Sequence, residues 1–267
     1  MINFGISTGI QKELERRGKV KKSKSVNVRK LTVIGVLGAI SIVLGMTPLG
    51  FIPVGPTKAT VMHIPVIIGA ILEGPVVGAL VGLIFGLFSI YQAITAPTPV
   101  SPFFLNPLVS VLPRILIGIT SYYSYRLFNK IGNKKTIWIM DIIWSAIIVY
   151  LAHGLYLNIV NYTTVWEILI NIILIALTGI MIYMTTKKFK GKSIDVLVSA
   201  VIGTLTNTVL VLSMIYLIYG EQFVESLGQD TQFVGRVIAG IGVANGIPET
   251  IIAAIVVSSV VSAVKRK

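Results

Sequence analysis

The sequence predicts an all-α integral membrane protein that crosses the bilayer about eight times, with both termini in the cytoplasm. Three observations predict it. Of 267 residues, 54% are hydrophobic and only 12% charged, against about 25% charged in an ordinary soluble domain, and the mean hydropathy is +0.87. The apolar residues fall in long blocks, most of them near the roughly 20 residues that a membrane helix needs to cross while satisfying its own backbone. Basic residues sit between those blocks in an uneven pattern. No composition shift divides the chain into two folded domains.

Residues 1–30 form a basic tail that includes "KELERRGKVKKSKSVNVRK". It is too polar for the apolar stretch of a secretory signal, and no small-residue cleavage site precedes the first span. It is expected to lie on the anionic inner leaflet, where each basic residue near the surface contributes about 1 kcal/mol. The apolar segments that follow are 31–47, 59–72, 76–96, 103–125, 137–160, 165–184, 194–219 and 235–264. The second is short for a span.

With the N-terminus inside and eight crossings, the tail, 126–135, 187–192 and 265–267 hold 20 of the 23 Lys and Arg residues on the cytoplasmic side. Only Lys58, Arg114 and Arg236 fall in outer loops or spans, and Glu221, Glu225 and Asp230 share one outer loop. This is the positive-inside pattern. It also accounts for the net charge of +13 without a nucleic-acid partner, because the basic clusters flank apolar runs instead of forming one face. The implied location is the cell membrane, multi-pass.

Two outer stretches are rich in proline. In "PLGFIPVGPTKATVMHIPVIIGAI", residues 48–71, prolines 48, 53, 56 and 65 prevent a continuous helix from the first span into the second. Interrupted segments of this kind are tolerated in a membrane where they line a cavity. Lys58 reads either as an anchor at the outer interface or as a ligand group, and His63 either as a satisfied interhelical histidine or as a ligand group. The second stretch, "ITAPTPVSPFFLNPLVSVLPRILIG", feeds the fourth segment. Arg114, after a kink expected at Pro113, is too deep to reach water easily, so it either binds an anion with its planar guanidinium or bonds carbonyls freed by the proline.

The last two segments carry "GTLTNT" (203–208) and "GIGVANGIPET" (240–250). Pro248 cannot donate to the carbonyl of Ala244, which predicts a kink near mid-membrane. Gly242 and Gly246 form a small-xxx-small pair, whose usual meaning is close helix packing. Asn207 reads as a packing residue and Asn245 as a binding residue. In the first span, Gly35 and Ala39 lie four apart on one face, flat enough for another helix to approach, either within the chain or from a partner.

Enzyme signatures fail when tested. Cysteine is absent, and the two histidines, His63 and His153, do not have ligand spacing. Gly5-Ile6-Ser7-Thr8-Gly9 has the G-x-S-x-G form but lies in the tail with no preceding strand. "GKS" at 191–193 has Thr186 where a P-loop needs glycine. No catalysis, cofactor or metal is expected.

In order along the chain, "GPTKATVMHIPVIIGAILEGPVVGALVGLIFGL", "LNPLVSVLPRILIG", "GTLTNTVLVLSMIYLIYG" and "NGIPETIIAAIV" resemble a substrate-specificity (S) component of an energy-coupling factor vitamin transporter. The resemblance covers about residues 30–130 and 194–264. It implies a six-helix bundle that holds a vitamin beneath outer loops and joins a transmembrane coupling subunit and two cytoplasmic ATPases, which alone would hydrolyse ATP. It further implies that Gly35 and Ala39 face the coupling subunit, and that Lys58, His63, Asn106, Arg114 and Asn245 are the substrate-binding candidates.

The implied organisation is core helices 1–4 in 31–133, an inserted transmembrane hairpin in 134–192 where relatives have a short loop, and core helices 5–6 with a basic end in 193–267. The pattern at 48–71 is nearest to the pantothenate type, while riboflavin, folate and pyrimidine-type vitamins use the same scaffold. An autonomous secondary transporter for a small organic anion would instead show a repeat and coupling carboxylates. No repeat is evident, and Glu249 is the only carboxylate deep in a core span.

Overall fold

A computed structural model describes residues 28–54, 57–160, 165–188 and 194–265. Val33–Lys267 forms one compact unit, and of the other unit, Met1–Thr32, only residues 28–32 are described. The rest of the basic tail and the side chain of Lys58 lie outside the described residues.

Helix α1 (Val28–Met46) stops where Thr47 turns extended ahead of Pro48. After one 3-10 turn, the chain makes an antiparallel hairpin of β1 (Phe51–Val54) and β2 (Thr57–Thr60), with Phe51 opposite Thr60 and Val54 opposite Thr57. The expected outer loop is thus a small piece of sheet, the only one among the described residues.

Helix α2 (Ile64–Glu73) starts with Pro65 in its first turn and ends at Gly74, whose φ of 103° favours glycine. At ten residues it rises only about 15 Å, half of a hydrocarbon core of about 30 Å. Every residue from Ile64 to Ile71 is buried, as expected of a helix that is apolar all round. The short second segment is therefore a half-span enclosed by other helices.

Helix α3 (Pro75–Thr95) packs along α6 (Leu112–Ile131) through glycine. A Cβ on Gly78, Gly82 or Gly86 would fall within 3.0 Å of α6 or of the residues just before it: the Gly118 backbone, the Arg114 carbonyl and the Ser110 carbonyl respectively. Between α3 and α6 come two single turns, α4 (Ser101–Phe104) and α5 (Pro107–Ser110). Pro113 occupies the first turn of α6, where its missing N–H is not needed. It starts a helix instead of kinking one.

Helices α7 (Asn133–Val160) and α8 (Val165–Tyr183) occupy the region of the inserted hairpin. Met140, Trp144 and Met181 pack in one core with Leu197, Val201, Ile251 and Ala254, which belong to α9 (Ile194–Ser226) and α10 (Val234–Lys265). Pro248 lies inside α10, which remains helical through it.

Among the described residues, five helices are long and apolar enough to cross a membrane: α1, α3, α7, α9 and α10 with the turn before it. Of the other three expected spans, α2 is too short, the apolar run of α8 is short as well, and α6 carries Arg114, Arg126 and Lys130. Phe103 and Val109 from the proline-rich turns share a core with Phe223 and Ile238 at one end of α9 and α10. At the other end Asn129 bonds Asp195 at 2.7 Å, and Lys265 sits 4.1 Å over the Tyr125 ring.

The glycine seam generates a stability prediction. Gly82→Ala places a methyl 2.1 Å from a backbone oxygen and should destabilise by about 1–3 kcal/mol, the usual cost of overpacking. Gly240→Ala meets nothing within 4 Å and should be neutral or slightly stabilising, since alanine is the better helix former. Thermal unfolding of the two variants in detergent distinguishes these outcomes.

Candidate functional site

The corner between β2 and α2 lies at the middle of the two longest helices. The Thr60 N–H donates to Glu249 Oε1 at 2.7 Å, and the Thr208 hydroxyl donates to Glu249 Oε2 at 3.0 Å. Glu249 is 3% exposed, with both carboxylate oxygens engaged. His63 is fully buried and its Nε2 lies 2.9 Å from the Thr204 hydroxyl. That hydroxyl also donates to the Ala200 carbonyl. Nδ1 has no hydrogen-bond partner.

Arg114 closes the arrangement from α6. It is 6% exposed, and its Nη1 donates to the Val109 carbonyl at 2.6 Å. Its guanidinium lies 5.4 Å from the Phe85 ring centre and 5.9 Å from that of Phe104, while its Nε is buried without a partner. Among the described residues no carboxylate reaches ion-pair distance of it, although Glu249 and His63 lie within electrostatic range. Gly82 allows α3 to touch the Arg114 backbone directly, so the position of this cation is set by backbone packing as well as by its own side chain.

The other candidates are placed differently. Asn106 caps α5 by accepting from Leu108 N–H, and its Nδ2 donates to the Tyr219 hydroxyl at 3.1 Å; both of its polar atoms serve the protein. Asn245 is half-buried one turn before Glu249 on α10. Lys58 lies in β2 opposite Pro53. Gly35 and Ala39 are exposed, nothing approaches within 4 Å of a Cβ on Gly35, and the close contact within the chain is made by Gly38 against Ile84. Gly242 and Gly246 do face α9, at Leu212 and Thr208.

Thr204, Thr208 and Glu249 were visible in the sequence as polar residues within spans. Nothing in their spacing showed that a hairpin amide and a histidine from another segment would meet them.

The corner thus gathers a buried guanidinium, a buried imidazole and the Thr204 and Thr208 hydroxyls, with Arg114 Nε and His63 Nδ1 lacking a hydrogen-bond partner. Among the described residues no three His, Asp or Glu side chains gather as a metal site would need.

The model of the ECF transporter substrate-specific component matches residues 29–166 and 136–261. The chain belongs to this family. It is 29% identical over 264 residues to the pantothenic acid transporter PanT of Lactococcus lactis, covering 92% of this chain and 97% of that one. A second relative, the pantothenate transporter PanT of Leuconostoc mesenteroides, is 38% identical over 94 residues, which is 34% of this chain and 44% of the relative. With five apolar helices of spanning length, this S component is a multi-pass membrane protein.

The bonds to Glu249 predict a local effect. In Glu249→Ala the Thr60 amide loses its acceptor, at a cost of about 1 kcal/mol or more, so amide exchange in a peptide containing Thr60 should speed up roughly fivefold or more. Glu249→Gln retains an acceptor oxygen and should stay close to the native rate. Hydrogen-exchange mass spectrometry measures both.

Proposed function

We propose that this S component captures pantothenate from the outer side of the cell membrane and delivers it through an ATP-driven importer. The observation that carries this reading is Arg114. An unpaired charge removed from water costs several kcal/mol, yet this guanidinium is buried with one carbonyl bond and an orphaned Nε. A ligand carboxylate removes that cost and is matched by the planar donor fork. Pantothenate adds hydroxyl and amide groups, which suit the imidazole of His63 and the amide of Asn245. The names of both relatives favour the same vitamin. Lys58 and Asn106 remain candidates at the outer mouth, Asn106 chiefly through holding α5 and Tyr219 in place.

The topology that supports this has both termini inside. The proline-rich turns and the acidic loop before α10 then share the outer end, and the basic clusters share the inner one. Six core segments, the second made of the β1–β2 hairpin and the half-span α2 together, plus the hairpin 134–192 make up the eight crossings. The overlap of the two family matches within 136–166 supports an insertion there. ATP hydrolysis belongs to two cytoplasmic partner subunits, reached through a transmembrane coupling subunit that docks on the exposed Gly35–Ala39 face.

The test is native mass spectrometry of the purified chain to identify the molecule it retains, followed by calorimetry. Arg114→Ala should weaken pantothenate binding at least tenfold, since a hydrogen bond to a charged group contributes about 1.5–3 kcal/mol. Arg126→Ala, exposed on the same helix, should change it little. The uncharged alcohol analogue should bind equally weakly to native chain and Arg114→Ala. If Arg114→Ala lowers affinity for both ligands alike while unfolding normally, the arginine is structural and the reading fails.

A second expectation concerns assembly. Gly35→Leu or Ala39→Leu should leave pantothenate affinity near normal but reduce copurification of the coupling subunit and uptake, because a bulky side chain blocks close helix approach. Copurification and isothermal titration on the same preparations check both halves.

A further inference from the structure

Helices α7, α9 and α10 enclose an open groove of about 750 Å³ that backs onto the polar site at Thr208. Its walls include Ala146 and Tyr150 from α7, Leu205, Leu212 and Tyr216 from α9, and Ala239 from α10. The lining runs along α9 from Val201 to Tyr216, about 22 Å at the rise of an α-helix. A groove of that length and apolar lining suits an extended hydrocarbon chain. It is also longer than half of a hydrocarbon core of about 30 Å, so a chain entering at one leaflet fills it past the midplane.

One end of the groove is chemically distinct. Tyr150 and Tyr216 are there and about half exposed, the placement tyrosine prefers at a membrane–water interface. Gly235 lines the same end, and the next residue, Arg236, is exposed with its guanidinium 5.1 Å over the Phe233 ring. A helical side chain points toward its own N-terminus, so this cation lies at the groove's tyrosine end, where a lipid phosphate would sit.

We infer that the groove is a binding site for one phospholipid, its acyl chain between α7, α9 and α10 and its phosphate at Arg236. The hairpin region 134–192 then supplies one wall of a lipid site. Thr208 lies in the lining and also donates to Glu249, so the bound chain packs behind the helix pair that holds the substrate site.

The experiment is native mass spectrometry of the full chain, delipidated and then given dioleoyl phosphatidylglycerol or the phosphatidylcholine of the same chains. The native protein should retain one phosphatidylglycerol at activation energies that strip the others. Ala146→Phe and Ala239→Phe fill the groove from opposite walls at exposed positions, and each should lower that occupancy about tenfold or more. Val149→Phe, exposed on α7 and outside the lining, should not. Arg236→Gln should keep one lipid but lose the preference for phosphatidylglycerol.

The inference is overturned if the native chain retains no lipid, or if both filling variants, unfolding at the native temperature, retain as much as Val149→Phe. Unchanged headgroup preference in Arg236→Gln overturns the phosphate assignment. Pantothenate calorimetry on the same samples keeps a failure here distinct from a failure of the substrate reading.

Discussion

A helix of ten residues cannot cross a bilayer, and the polar interior of this protein follows from that. Backbone groups in hydrocarbon must find partners within the protein, so the chain leading into α2 has to be satisfied by whatever surrounds it. The β1–β2 pairing satisfies part of the backbone. The carboxylate of Glu249 takes the Thr60 amide at the last residue of β2, and the Ser41 hydroxyl donates to the Met62 carbonyl. A buried carboxylate in turn needs its own donors, which explains the hydroxyl of Thr208 on the neighbouring helix. Shortening one helix has thus drawn polar groups from α1, α9 and α10 to one depth.

Close packing makes the enclosure possible. The α3–α6 seam brings two backbones into contact through Gly78, Gly82, Gly86 and Gly118, and apolar helices without a hydrophobic drive between them associate best where small residues permit such contact. The same seam carries the Arg114 backbone, so the buried guanidinium springs from a direct backbone contact between two helices. Its remaining neighbours are aromatic faces and one carbonyl, which hold a cation without neutralising it.

The hairpin α7–α8 is more than a lipid-facing appendage, because Met140, Trp144 and Met181 are fully buried or nearly so against α9 and α10. Helices α7, α9 and α10 also line the groove. The contrast between a filled half and an open half comes from residue size, since Ala146 and Ala239 line the open part while Trp144 fills the packed part.

The sequence by itself determined the membrane class, the order of apolar segments and the family, because hydropathy, charge placement and the proline-rich stretches are local properties that need no knowledge of neighbours. It also singled out Arg114 and His63, whose cost inside a bilayer is evident from residue type alone. The four-residue spacing of Gly78, Gly82 and Gly86 stands in the sequence, but the seam it makes with the helix of Gly118 emerged only from the structure. Only the tertiary structure decided that Pro113 begins a helix, that Asn106 spends its amide on a cap and on Tyr219, and that the second segment is a half-span tied to Glu249. The contacts of Asn106 with Tyr219 and of Thr60 with Glu249 join groups 113 and 189 residues apart in the chain. A one-dimensional pattern carries polarity and period, and the pairing of distant donors with acceptors is settled only when the helices pack.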